Sequence, residues 1–425
     1  MRFRNDESGQ MIVMLAVSMT ALMAFMALAV DVGVLFHVRR EVQIAADAAA
    51  AAGALDYHYN PSGSTARAAA LAAASQNGVT NGSNGTVAVT FPTSTSYGSP
   101  YTTGFVQALV TVPNPTMFMR LFHMTSVNLV SGAVAGPGAS QGCVWSLGGS
   151  GTDISGSGAM NATGCEIYDN SSSGRALDLT GGSISAKQVG VTGGFSGTVR
   201  PTPITGMVPV KDPLVSLTAP GIPGGGCTRS FTSCNPSNTT SGNMNVFPNT
   251  YTSISNSGGG TMTLSPGNYV ITGNLSNTNS NLVFGSGLYI VEGNLALMGS
   301  GSVTGSGVTF YLEDGGASPC PGGGSCISGS GRVNLIAPTS GGDNGILIFQ
   351  SRTVGSAMTI NEPTSMTLEG IVYAPSAQVG VGGAGSNSVY ADFVVGSLNI
   401  TGTPKLQNYA IKNTGTPLTK IVMVQ

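Results

Sequence analysis

Apolar and polar residues follow three rhythms along this chain, and each predicts a different kind of element. From Gly9 to Val30 the run GQMIVMLAVSMTALMAFMALAV carries no charged side chain. A helix needs about 20 such residues to cross bilayer hydrocarbon, so residues 10–30 are expected to form a transmembrane helix. Asp31 ends the run. A carboxylate is costly inside hydrocarbon, so Asp31 reads as the membrane exit, with contact to an assembly partner as its alternative role. Ala-rich sequence continues to Leu55, with Val34, Val38, Val42 and Ala45 on one helical stripe. That pattern predicts a helical stalk over 31–55 packing on something, with Gly53 able to stop it.

The second rhythm spans 56–136 and predicts a small α+β unit. Ser64 to Gln76 reads as a helix with Ser64 or Thr65 as its N-cap. TVAVTF at 86–91, GFVQALVTVP at 104–113 and TSVNLVSGAVAG at 125–136 read as strands. PTMFMRLFHM at 115–124 reads as a short helix with Pro115 near its start.

The third rhythm fills 140–425. Short alternating runs such as TMTLSPGNYVITGNL, GLYIVEGNLAL and GVTFYLE recur, separated by Gly, Asn, Ser or Pro. Strands spaced this way indicate a solenoid, sandwich or barrel. Gly and Asn at corners and stacked apolar positions favour a right-handed parallel β-helix-like solenoid, with a β-sandwich as runner-up. The whole chain is therefore expected to be mainly β. Residues 200–250 are rich in Pro and Gly and read as an excursion or linker. The terminal NYAIKNTGTPLTKIVMVQ is either a cap on the solenoid or a strand that pairs with a partner.

Composition narrows the classes. Charged residues make up 8% of 425, there are 63 Gly, and the net charge is −2. This balance offers no electrostatic basis for binding nucleic acid or an anionic membrane surface. Arg2 and Arg4 precede the apolar run, so residues 1–9 are assigned to the cytoplasm and 40–425 to the outside. Arg39 and Arg40 on the far side weaken that signal. The competing reading is a cleaved signal peptide, because Ala27-Leu28-Ala29 has the small-x-small form of a cut site. Against it, the apolar run is longer than an ordinary h-region and the helical pattern continues through the cut.

Six cysteines fall as local pairs, Cys143/Cys165, Cys227/Cys234 and Cys320/Cys326. An even count in an exported chain suggests disulfides, and neighbour pairing is the simplest of the connectivities. Metal binding is the alternative, but no CxxC occurs and His37, His58 and His123 are distant from every cysteine. No cofactor or metal site is expected. An enzyme reading needs clustered carboxylates. Asp and Glu are scattered beyond residue 140, and Glu313-Asp314, the one adjacent pair, reads as a turn. GxSxG, HExxH and the P-loop are all absent from the sequence, so no catalytic residue is assigned.

The N-terminal string carries a family resemblance. ESGQ, the apolar span, ALAVDVG and then RREVQIAADAAAAAGAL resemble the TadE/TadG-like family of Tad (Flp) pilus assembly proteins. The matching residues are Glu7, Gly9, Gln10, Asp31, Gly33, Gln43, Ala46, Asp47, Ala48 and Gly53. MFMRLFHM before SVNLVSGAVAG is similar to that family's periplasmic part. Pilins cut by a prepilin peptidase carry Gly at the cut and Glu five residues later, whereas Met14 stands at that place here. The chain thus resembles the uncleaved, membrane-retained TadG-like member, although it lacks the DxSxS metal pattern of some such proteins. More softly, GILIFQSRT, LEGIVYAPSAQVGVGG and ADFVVGSLNITGTPKL resemble the β-helical C-terminal regions of bacterial pilus-associated and polymer-forming surface proteins. The resemblance implies a non-enzymatic single-pass inner-membrane component of a pilus or secretion apparatus. Its partners would be pilus assembly proteins or pilin-like subunits, and a surface glycan is a further candidate for its β-helix. The alternatives are a self-associating surface or matrix protein, and a β-helical polysaccharide-active enzyme.

Overall fold

The computed structural model describes residues 8–92, 103–222, 227, 234–313, 317–362, 365–383, 388–413 and 415–423. Contacts group them into two units, one built from the N-terminal 138 residues plus the segment from Thr419 onward, the other from Ala139–Leu418.

In the first unit a single helix runs over Ser8–Tyr59. The apolar span and the stalk are therefore one uninterrupted element, roughly 80 Å long at 1.5 Å per residue. Its early part is apolar and long enough to cross a membrane, and none of that stretch is buried among the described residues. The hydroxyls there turn inward: Ser18 donates to the Leu15 carbonyl at 2.9 Å and Thr20 to the Val17 carbonyl at 2.8 Å. Such back-bonding satisfies polar groups where water is lacking.

Beyond Asp31 one face becomes buried, and small residues dominate it. Val42, Ala45, Ala46, Ala49, Ala50 and Ala54 pack with Ala70 and Ala74 of the Gly63–Gln76 helix and with Val106, Ala108 and Val110 of the adjacent strand. Gly53 does not end the helix, contrary to the sequence reading. A Cβ there would stand 2.9 Å from Val106 Cγ1 and 3.2 Å from the Ala66 carbonyl oxygen, so this glycine allows close approach. The second helix begins at Gly63 with Ser62 as N-cap, slightly ahead of the expected Ser64 or Thr65.

The sheet of this unit has the order Thr86–Thr90, Val106–Pro115, Ser126–Ala139 and Thr419–Met423. The first three strands pair antiparallel, with Val87 opposite Val110 and Ala108 opposite Ala133. Pro115 closes a strand and does not open a helix. The segment expected to be helical is a loop with one 3-10 turn at Met119–Phe122. The last strand of the chain, read in sequence as part of the 140–425 region, completes this sheet.

The second unit is a parallel β-solenoid; from Met244 to Ile336 it has three short strands per turn, each pairing with the third one along, and elsewhere long strands such as Ser365–Gly383 span more than one side of a turn. Recurrence is close to 20 residues, as between Asn274 and Asn294. One interior column can be followed from turn to turn. It runs Tyr269, Tyr289, Phe310, Ile348, Val372, Phe393, Val144, Ile167 and Val189, all buried. Most strands are short, so stability comes from stacking like on like along the axis rather than from any one turn.

Two repeated devices give polar side chains hydrogen-bond partners inside. The hydroxyls of Tyr251, Tyr269 and Tyr289 each donate at 2.7 Å to the carbonyl four residues earlier. The Tyr269 and Tyr289 rings stack with centroids 4.9 Å apart. Asn238, Asn256 and Asn277 share one register, and Asn256 donates to Asn277 Oδ1 at 2.9 Å. At the corners, a Cβ on Gly287 would lie 2.0 Å from the Gly267 carbonyl oxygen, and its φ of 153° also suits only glycine.

The order of turns in space is not the order in sequence. Strands from Gly142 to Arg200 stack beyond the turn of Ser388–Ile400, where Phe393 faces Val144 and Leu398 faces Ile154. The chain then returns to the opposite end, where Ser237–Asn238 pairs with Ile254–Asn256, and builds back. The returning segment lies along one face of the stack. Val210 and Asn170 exchange hydrogen bonds at 2.8 and 2.7 Å. Arg352 donates to the Leu214 and Leu217 carbonyls at 2.9 and 2.8 Å and to the Tyr373 hydroxyl at 2.8 Å. Tyr373 in turn donates to Asp212 at 2.7 Å. Val210, Leu214 and Leu217 thereby cover an outward apolar layer that includes Val270, Ile290, Tyr311, Phe349 and Val394. Part of the 200–250 excursion is thus a packed strap.

Candidate functional site

Asp31 is the point where the uncovered and the packed halves of the long helix meet. Its residue is 3% exposed although it sits on a helix otherwise open on this side. The cover is the loop after Pro115. Asp31 Oδ1 accepts from the Met117 N–H at 3.0 Å, and Oδ2 accepts from Phe118 and Met119 at 2.8 and 2.7 Å. Backbone N–H groups aimed at one carboxylate make strong, charge-assisted hydrogen bonds. Thr116, also buried, donates its hydroxyl to the Met124 carbonyl and closes the loop at its base.

With its backbone held this way, the loop turns its side chains outward. Met117, Phe118, Leu121, Phe122 and Met124 are all at least half exposed, Leu121 at 83%. Met117, Phe118, Leu121 and Phe122 line an apolar groove of about 620 Å³ with Ala24, Phe25, Ala27 and Leu28 of the helix. The groove lies on the N-terminal, apolar side of Asp31. Sequence reasoning missed this loop as a feature. Its signal was a dense apolar cluster, with only Arg120 and His123 for charge, between two strands.

The other residues singled out in sequence are dispersed. Glu7 lies outside the described residues, and Gly9 and Gln10 are in the first turns of the long helix. Gly33 has open space around it. Gln43 donates to Asp47 at 2.7 Å, bridging one turn of the helix, and reaches the Gly132 carbonyl at 3.4 Å. Ala46 is fully buried in the small-residue face. All six cysteines pair with their sequence neighbours: Cys143–Cys165, Cys227–Cys234 and Cys320–Cys326. The first is buried in the solenoid core, and the last packs with Ala296. Glu313 accepts from the Tyr311 hydroxyl at 3.0 Å, and Asp314 lies outside the described residues. Among the described residues, no group of three or more His, Cys, Asp or Glu is placed to hold a metal ion.

Two buried carboxylates escaped the sequence reading. Asp153 and Asp169 each leave Oδ2 without a hydrogen-bond partner. Burial pushes Asp153 up to about 6. Burial also lifts Asp169, to about 7; the Ser171 N–H pulls it down and the nearby Asp153 charge adds to the rise.

Comparison with known families matches two segments. Residues 9–56 fit the Tad model of Flp pilus-assembly TadE/G-like proteins. Residues 230–410 fit a domain of unknown function, DUF7305. The first match covers the long helix through its packed half. The second begins where the solenoid starts its continuous climb and leaves out the turns at 142–200. No curated protein and no solved structure matches the chain.

Proposed function

We propose that this chain is a non-enzymatic, single-pass component of a Tad/Flp-type pilus assembly or secretion apparatus. Residues 10–30 are its anchor in the bacterial inner membrane. Residues 1–9 face the cytoplasm, and the bulk lies in the periplasm or outside. The carrying observation is the coincidence of the Tad-family match with an apolar helix stretch of crossing length that is left unburied among the described residues. Disulfides throughout the solenoid accord with an oxidising compartment. The packed half of the helix and the 56–136 unit would meet pilin-like partners. The solenoid would project as a spacer or adhesive surface.

The test is the mature N-terminus of the native protein, read by peptide mass spectrometry on inner-membrane and sheared-surface fractions. Deletion of its gene should also reduce the shearable fibres. An N-terminus at Met1 or Arg2 in the inner membrane is expected. A start at Val30 in the medium would end the anchor and leave a secreted, self-associating surface protein. A start at Gln10 would make the chain a pilin-like subunit.

A further inference from the structure

We infer that the Met117–Met124 loop is a second membrane contact, dipping into the outer interface of the bilayer that residues 10–30 cross. The inference rests on the anchor reading above and adds to it a lipid-binding element that no motif in the sequence announces.

Three observations carry it. The loop is held rigidly to the helix by Asp31 through three backbone N–H groups, so it keeps its depth relative to the span. Its exposed side chains, Met117, Phe118, Leu121 and Phe122, face Ala24, Phe25 and Leu28 and not the Ala-rich packed half. Ala24 precedes Asp31 by seven residues, about 10 Å along a helix axis, and interfacial elements bury their apolar faces by roughly 5–10 Å. The loop therefore reaches the depth at which such elements sit when Asp31 marks the surface.

Lipid is the occupant the chemistry favours. The groove is continuous with the uncovered apolar surface of Met11, Leu15, Leu22 and Phe25, so whatever solvates the helix there also solvates the loop. An apolar patch of this kind in water marks an interaction site. The loop's charged and titratable side chains are Arg120 and His123, both exposed, with no carboxylate between Pro115 and Met124. Such side chains lay their stems on apolar surface and place their heads among phosphates. Together the span and the loop make a two-point anchor, which fixes rotation and tilt as a lone helix does not.

The experiment uses the full chain in phosphatidylcholine/phosphatidylglycerol liposomes containing acyl-brominated lipid, which quenches tryptophan on contact. Phe122→Trp reports on the loop, Phe25→Trp on the span and Phe247→Trp on an exposed solenoid position. The native Trp145 is buried in the solenoid and supplies a common background. The expected result is blue-shifted, quenched emission from Phe122→Trp and Phe25→Trp, with no loss from Phe247→Trp. Quenching of Phe25→Trp alone overturns the loop insertion and leaves the anchor standing. Quenching of neither overturns the anchor. If Phe122→Trp fails to fold, Leu121→Trp reads the same surface. Should the loop tryptophan be unquenched in liposomes yet shielded from iodide in native membranes, a protein occupies the groove and the lipid assignment is wrong.

Discussion

Asp153 and Asp169 show what one buried carboxylate can do to a whole turn. Both have folded-state values raised above the ordinary 3.8, to about 6 and about 7, first because burial disfavours their charge. The native state thus holds protons that the unfolded chain releases. Their contribution to stability is whole below about pH 4 and is lost as pH climbs through 6 to 7. Asp343 and Asp392 are raised by burial as well and act with the same sign. His58, lowered by burial, acts with the opposite sign but belongs to the first unit. Unfolding of the detergent-solubilised full chain, followed through the single Trp145, should therefore have a higher midpoint at pH 5 than at pH 8. Asp153→Asn with Asp169→Asn should flatten the difference. A wild-type midpoint that ignores pH would show that these carboxyls are ionised in the fold. None of this was legible in sequence, where the two residues stood among scattered carboxylates, because burial is a property of the stack.

At the scale of elements, periodicity was a good guide and punctuation a poor one. Alternation at 86–91 and 104–113 marked strands that form, and the Ala-rich stripe marked the packed helix face. Gly53 and Pro115 misled, for one reason: each answers to a neighbour in space. Gly53 makes room for Val106 and Ala66, and Pro115 ends a strand whose loop is held by Asp31. Gly33 and Gly53, on the same helix, should separate accordingly. Gly53→Leu is expected to cost about 1–3 kcal/mol through overpacking. Gly33→Ala, with open space around it, should be neutral or stabilising by up to about 1 kcal/mol. Helical melting curves of the two variants decide it, and the reverse order would remove close approach as the reason for Gly53.

At the scale of the molecule the chain closes on itself twice. Thr419–Met423 returns to complete the sheet of the first unit, with Ile421 packed against its core. The turns at 142–200 dock on the turn at 388–400. The terminal segment is thus a strand with a partner inside its own chain. Removing residues 419–425 should expose an unpaired edge on Ser126–Ala139, and bare edges invite mispairing. Limited proteolysis should then cut the first unit faster, while the Trp145 unfolding midpoint of the solenoid stays near wild type. Equal protection of both units would mean that the last strand contributes little.

Sequence by itself determined the local and the repetitive: an apolar helix of crossing length, short strands with Gly and Asn at their ends, and cysteines close enough in the chain to pair. These follow from residue type and from spacing within a turn or two, which the chain carries wherever it folds. Tertiary structure alone decided which turn stacks on which, where the strap lies, that Asp31 holds a loop and that the loop faces the apolar helix. Those depend on contacts between residues far apart in sequence. Stacked β turns with similar apolar columns are nearly interchangeable one at a time, so only the packed whole selects their order.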